Sequence, residues 1–237
     1  QVLFNMADIA VIGQFAGSLS LGAVGSTATL VTLFTGILIG MAGGINVLVA
    51  RFFGAKDKKS TVQTIHTALL VSLAAGLIVL AFGMIFSKWI LEVMNTKEEL
   101  LNGAVLYIRI YFLGMPALAL YNFGNAVCSA FGDTKKPLYY LAAAGVVNVV
   151  LNLFFVIVCK MDVAGVAAAS IISQYLSAFL ILRALVKVGG DYALRLSELK
   201  FDKRMAEYII QIGLPAGLQG TLFSLSNVVI QSSINKF

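Results

Sequence analysis

Long uncharged stretches dominate this chain, and their lengths leave few folds open. Residues 21–50, 68–86, 138–159, 163–182 and 208–235 contain no Asp, Glu, Lys or Arg, and 104–131 is interrupted only by Arg109. A helix needs roughly 20 apolar residues to cross a ~30 Å hydrocarbon core, so each stretch can span a membrane. The first residues read as the last turns of one more helix, so seven crossings are expected, the first incomplete, and the chain reads as a fragment. Composition agrees: 59% of residues are apolar, only 12% are charged, and mean hydropathy is +0.93. That charged share is about half of a soluble domain's. The expected fold is all-α, a polytopic transmembrane helical bundle.

The connections set the topology. Arg51, Lys56, Lys58 and Lys59 follow the second span, and Lys88 and Lys97 follow the third, beside Glu92, Glu98 and Glu99. Lys135 and Lys136 follow the fourth, and Lys160, next to Asp162, follows the fifth. The sixth connection carries Arg183, Lys187, Arg195, Lys200, Lys203 and Arg204. The basic-rich loops alternate, and the positive-inside rule puts them in the cytoplasm. The net charge of +6 therefore follows topology and is not a nucleic-acid footprint. Residues 189–207 read as a cytoplasmic linker, with Leu194, Leu199, Phe201 and Met205 on one face of a short interfacial helix. It would divide a six-span unit, residues 1–188, from the first span of a second unit, residues 208–237.

Asp8 is the anomaly. After it, the next ionisable side chain is Arg51. A carboxylate in a membrane-length apolar run is costly unless it meets a partner or a wet cavity, so it reads as functional. It lies roughly 15 Å from Gly17, at 1.5 Å per helical residue, and hence near mid-membrane. An apolar surround favours the neutral acid there, and a nearby cation or donor favours the carboxylate. Asn148 and Asn152 share one helix face at i, i+4, with Gly145 one turn earlier, and Ser170 and Gln174 repeat that spacing on the sixth span. Such groups glue helices together when single and line a polar cavity when clustered.

Other features have plainer readings. Gly36, Gly40 and Gly44 recur every four residues and suit close helix packing. Pro116 and Pro215 are placed to kink their spans. Arg109 is expected to snorkel to the outer interface, and His66 to be interfacial. Tyr107, Tyr111 and Tyr121 fit either an aromatic cavity for flat cations or ordinary core. Cys128 and Cys159 read as unbridged packing residues. No His/Cys cluster, nucleotide-binding glycine motif or nucleophile elbow is present, so an enzyme or an ATP-driven pump lacks support and no cofactor is expected.

The seventh span echoes the first: Leu3, Phe4 and Asp8 overlay Leu222, Phe223 and Asn227 at constant offset. Parallel repeats of this kind are a transporter architecture, whereas a seven-span receptor would not restart at its seventh helix.

Several motifs together resemble one family. They are Asp8-Ile9-Ala10-Val11-Ile12-Gly13, the run 48–57 (LVARFFGAKD), the run 131–137 (FGDTKKP), Val163-Ala164-Gly165-Val166-Ala167 and Ile212-Gly213-Leu214-Pro215. Over nearly its whole length the chain resembles the N-terminal half of a multidrug and toxic compound extrusion (MATE) transporter. That resemblance implies twelve spans in two six-helix lobes around a central cavity. It implies export of cationic, often aromatic compounds driven by protons or sodium ions, in an inner or plasma membrane. Asp8 falls on the family's first-span acid, Asn148 and Asn152 on a fifth-span polar pair, and Ser170 on a sixth-span hydroxyl. Asp8, Asn148 and Asn152 could bind sodium, and Tyr111, Tyr121 and Gln174 are candidate substrate contacts. Some members carry Asp at the position of Asn152, and another branch a Glu at that of Phe223; here one acid remains. The implied partners are organic cations, membrane lipids and the C-terminal lobe of the same protein. A lipid-linked oligosaccharide flippase of the wider superfamily is the alternative; it would want Arg and Lys lining its cavity.

Overall fold

The computed structural model describes the backbone of residues 2–187 and 194–234, and the side chains of residue 4, residues 6–187, residues 194–223 and residue 226. Helices account for nearly all of it. They are α1 (Val2–Phe15), α2 (Ser18–Gly54), α3 (Lys58–Val93), α4 (Glu98–Phe112), α5 (Met115–Ala130), α6 (Lys135–Leu153), α7 (Asp162–Lys187) and α8 (Lys203–Ile234). A π-helical turn, Phe154–Val158, continues α6, and a short 3-10 turn, Leu196–Glu198, precedes α8. Among the described residues, α2, α3, α7 and the α6 extension are each long and apolar enough to cross a membrane. α4 and α5 make one more span, bent by 45°. The protein is thus a multi-pass membrane protein.

The bend falls at Leu113–Gly114, and Pro116 sits in the first turn of α5, where its missing N–H costs nothing. The proline starts the second half of the span and does not kink a continuous helix. The interfacial helix expected in the linker is not formed. Its described part holds only the 3-10 turn, with α8 under way at Lys203. The apolar face fails because its members diverge: Leu194 (2% exposed) and Met205 turn into the core, while Phe201 stays out. Residue 188, residues 189–193 of the linker, and the side chain of Asn227 in the proposed repeat lie outside the described residues.

Two apolar cores stack along the bundle. One joins Val11, Ile12, Val24, Leu30, Phe112 and Val166; the other, toward the basic loops, joins Ile45, Leu48, Ile65, Phe123, Ile181 and Ile209. Outside them a belt of apolar side chains, including Ile78, Ile85, Val146 and Phe179, is exposed and suited to lipid. Trp89 is exposed near the end of α3 opposite the basic loops, as an interfacial anchor would be. Arg109 is likewise exposed, with its Nε donating to Ser87 Oγ at 3.3 Å. Both cysteines are free, Cys128 buried and Cys159 exposed.

Two glycines shape the frame. Gly17, at φ 87°, makes the tight turn that sends α1 back along α2. Gly40 permits contact between α2 and α8: a Cβ there would sit 2.0 Å from the Gly217 Cα. Between lipid-exposed helices no hydrophobic force drives association, so such backbone approach supplies the attraction.

Gly40→Ala is expected to destabilise the full-length protein by about 1–3 kcal/mol through overpacking, read as a lower melting midpoint in detergent. Gly43→Ala, where nothing lies within 4 Å of the added carbon, should leave that midpoint unchanged.

At the α5–α6 turn, Asp133 accepts from Lys136 Nζ at 2.7 Å and from the Lys136 N–H at 3.2 Å. The Lys136 side chain first, and its N–H second, hold the Asp133 carboxyl below the usual carboxylate range. A depressed native value gives stability that is present above the unfolded value and lost as pH falls through the native one. Asp133→Ala should therefore lower the melting midpoint at pH 7 modestly, by about 0.5–1 kcal/mol for an exposed cap. The same variant should flatten the decline of the wild-type midpoint on acidification below about pH 4.

Candidate functional site

Burial of a carboxylate without compensation costs several kcal/mol, so every lone pair on Asp8 has to be accounted for. Asp8 is fully buried on α1. Its Oδ1 accepts from Asn152 Nδ2 at 2.8 Å. Its Oδ2 accepts from Ser170 Oγ at 2.7 Å and from the Tyr107 hydroxyl at 3.3 Å. A second tier braces these donors: Asn148 Nδ2 donates to Ser170 Oγ at 3.2 Å, and Asn152 Nδ2 is shared with Asn148 Oδ1 at 3.3 Å. Asn148, Asn152 and Ser170 are fully buried too.

The elements explain the convergence. The i, i+4 spacing on α6 points both amides the same way. α7 meets α6 along an Ala- and Gly-rich face on which Ser170 is the hydrogen-bonding group aimed at α1. The π turn begins two residues after Asn152; single-turn π segments widen a helix locally and often accompany functional residues.

Every contact to Asp8 comes from a donor, and among the described residues no Lys or Arg pairs with it. This arrangement satisfies an ionised carboxylate without a counter-ion. One acceptor is left over: Asn152 Oδ1 is buried with no hydrogen-bond partner. The oxygens of Asp8, Asn148, Asn152, Ser170 and Tyr107 are hard ligands suited to an alkali cation. To serve one, the amide oxygens would have to turn away from their present orientations.

Of the other candidates, Tyr111 is buried and stacks on Tyr107 with ring centroids 5.9 Å apart. Gln174 lies one turn beyond Ser170, buried, with its Oε1 unpartnered against Gly114. Tyr121 is not brought to the cluster: it sits in the core toward the basic loops and donates to the Pro137 carbonyl at 3.0 Å. Tyr107 enters as an Asp8 donor, a role its sequence position among aromatic residues did not signal.

Two recesses open between these helices. One, of about 440 Å³, lies between α1 and α6 and is lined by Phe4, Ala7, Leu141, Gly145, Val149 and Asn148, among others. Asn148 is thus common to the recess and to the Asp8 network. The other, of about 350 Å³, lies between α2 and α5 and is lined by Asn46, Asn122, Asn125 and Ser129. The last three recur at i, i+3, i+7, a polar stripe that sequence reading overlooked.

Ser170→Ala should cost more stability than Tyr107→Phe, because it removes the shorter bond to the acid and strands Asn148 Nδ2. About 1.5–3 kcal/mol is expected for a bond to a charged group, against under about 1 kcal/mol for the long tyrosine contact. Chemical denaturation of the full-length protein at pH 7 tests this ranking.

Comparison with known proteins gives a consistent picture. The family model described as MatE matches residues 1–154. A probable multidrug resistance protein of Bacillus subtilis, YpnP, is 30% identical over 243 residues, covering 100% of this chain and 53% of its own. The multidrug export protein MepA of Staphylococcus aureus is 23% identical over 231 residues, with 97% and 51% covered. The chain spans about half the length of the curated relatives it matches. A solved MATE structure in a bent conformation superposes with a TM-score of 0.90 at 24% identity, covering 97% of this chain and 51% of that one. An outward-facing MATE family transporter gives 0.88 at 24% identity, with 97% and 51% covered. At that identity the structural likeness speaks for the fold alone.

Proposed function

The chain belongs to the MatE family, and from that premise we propose that the full-length protein is a secondary antiporter of the cell membrane, exporting cationic organic compounds in exchange for inward-moving protons. The observation that supports this most is the buried Asp8 carboxylate, held by donors from three other helices, with Asn148 facing both the acid and a recess.

The recess has the size of a small-molecule site, and its wall is apolar apart from Asn148. Such a wall suits a flat hydrophobic cation attracted by the carboxylate one layer behind. It does not suit the pyrophosphate of a lipid-linked sugar, which would need Lys or Arg among the lining residues. That weighs against the flippase alternative.

Exchange follows from the hydrogen-bond polarity. The ionised acid is satisfied as it stands. The protonated acid carries an O–H and needs an acceptor, and Asn152 Oδ1 is the orphaned one. Turning the Asn152 amide would set its oxygen against Asn148 Oδ1, so Asn148 must turn as well, and Ser170 must follow. Protonation thus reverses a chain of bonds that ties α1 to α6 and α7, and biases α1 between two packings. A cationic substrate favours the ionised state; a proton favours the other. Sodium would need several oxygens turned inward together, whereas a proton on Asp8 needs one acceptor, and Asn152 Oδ1 is there without a partner. That smaller requirement favours the proton as coupling ion.

Asp8→Asn in the full-length protein should lower proton-driven export of a fluorescent organic cation from proteoliposomes at least tenfold, with insertion unaltered. Undiminished coupled export would sink the proposal. Imposing proton and sodium gradients separately tests the choice of ion: export driven by sodium alone would overturn it.

A further inference from the structure

A guanidinium stands among lipid-facing side chains, and no acid answers it. Arg109 is exposed on α4, and Leu106 and Leu113, at i−3 and i+4, are exposed on the same face. Its Nε donates to Ser87 Oγ at 3.3 Å, and Ser87 is itself fully buried. Among the described residues no Asp or Glu pairs with Arg109, and its Nη groups have no protein partner. The acid on the next turn of α3, Glu92, is paired with Lys88 at 3.8 Å.

Helix geometry supplies an independent observation. Gly83 lies against the Phe112 ring, and Ser87 against Arg109, so these residues mark the line where α3 meets α4. At roughly 100° per residue, Leu73, Leu77 and Met84 lie roughly 80–120° round α3 from that line. Leu106, Arg109 and Leu113 lie roughly 60–120° round α4, and because the two helices are antiparallel both sets fall on the same side. All six are exposed. They form a shallow apolar groove with one guanidinium set into it.

Depth selects the anion. α3 has 36 residues and so spans about 54 Å, against a ~30 Å hydrocarbon core, which leaves roughly 12 Å projecting at each end. Ser87 lies six residues, roughly 9 Å, before the last residue of α3, Val93. The guanidinium it holds is therefore level with the headgroups, as is exposed Trp89 two residues further on. α8 packs on α2, and the segment opening it reaches α3 at Thr64 and Thr67, near the opposite end. No described residue covers the groove.

We propose that Arg109 and Ser87 hold the phosphate of a phospholipid in the leaflet opposite the basic loops. The Ser87 bond fixes the guanidinium through Nε and leaves the two Nη groups, whose paired N–H bonds match two phosphate oxygens. One acyl chain lies along Leu77, Met84 and Leu113 toward mid-membrane. A bound lipid would clamp α3 to the half-span that carries Tyr107. This inference is independent of the transport reading, because its readout is binding.

The test labels the full-length protein, in neutral detergent, with phosphatidylglycerol carrying a photoreactive acyl chain. A parallel sample receives the matching diacylglycerol, which lacks the phosphate, and crosslinks are mapped by peptide mass spectrometry. Labelling of residues 73–84 and 106–113 should saturate at a concentration at least tenfold lower for the phospholipid. Arg109→Gln should abolish that difference, Arg109→Lys should keep part of it, and Ser87→Ala should reduce it. Arg51→Gln, at the basic end of α2, should leave it unchanged. Arg109 is exposed, so a melting midpoint equal to that of the wild type is expected for its variants. Equal labelling by the two lipids, or a difference unmoved by Arg109→Gln, overturns the proposal.

Discussion

A carboxylate taken out of water inside a membrane must be compensated in place, and this requirement organises the bundle. Asp8 draws donors from α4, α6 and α7, and each donor is itself fixed by its own helix or by a neighbour. Bonds to an ionised acceptor are about twice as strong as neutral ones, and in a low dielectric an unmade bond is costly. Sliding α6 by one residue would swing Asn152 about 100° around its helix and leave Oδ1 bare. The position of α1 against α6 and α7 is therefore specified by polar bonds more than by apolar shape, which many lipid-facing arrangements could satisfy equally.

The rest of the frame does what polar bonds cannot. α2 runs through the bundle and packs against α3, α4, α5 and α8. Its glycines let α8 approach to backbone contact. Edge-on packing of Phe34 against Phe112, with centroids 5.2 Å apart, holds α2 against the outer half of the bent span. The bend at Leu113–Gly114 frees a carbonyl, which the Tyr175 hydroxyl of α7 takes up at 3.1 Å. Broken backbone at membrane depth is tolerated only with such a partner. The scaffold is thus built around α2, and α1 joins it through the turn at Gly17, the apolar contacts of Val11 and Ile12, and the polar cluster at Asp8.

How much of this could be read from residues alone depends on range. Uncharged runs mark spans because hydrocarbon thickness sets helix length. The cluster of Asp8, Asn148, Asn152 and Ser170 was legible because buried polar groups in a membrane must find each other, and i, i+4 spacing showed which of them share a face. Tyr107 stayed hidden because a hydroxyl on an aromatic helix looks the same whether it meets an acid or a lipid headgroup. Tyr121 looked equivalent to Tyr111, yet its partner is the Pro137 carbonyl across a loop. The linker misled because Leu194, Leu199, Phe201 and Met205 read as one amphipathic stripe, whereas Leu194 turns into the core beside Leu185 of α7 and Met205 meets Thr64 of α3. His66 followed a basic loop and looked interfacial, but the segment before α8 folds over it. Each failure is a long-range contact that no local pattern encodes.

The amide at Asn152 bears on what kind of switch this lobe can be. Two carboxylates at hydrogen-bond distance would share a proton, and their titrations would belong to the pair. With Asn in the second place the proposed proton coupling rests on one acid, whose protonation would be communicated through bond direction instead of charge repulsion. An amide can present either its oxygen or its nitrogen to a neighbour with almost no change of shape, so it can relay which state Asp8 occupies without repacking the apolar core. Repulsion between two acids would act at every neighbouring helix. Bond reversal would act only along Asn152, Asn148 and Ser170, on two of the three helices that donate to Asp8. In the proposed coupling, a single acid with two amides would confine the consequence of one proton to the packing of α1 against α6 and α7.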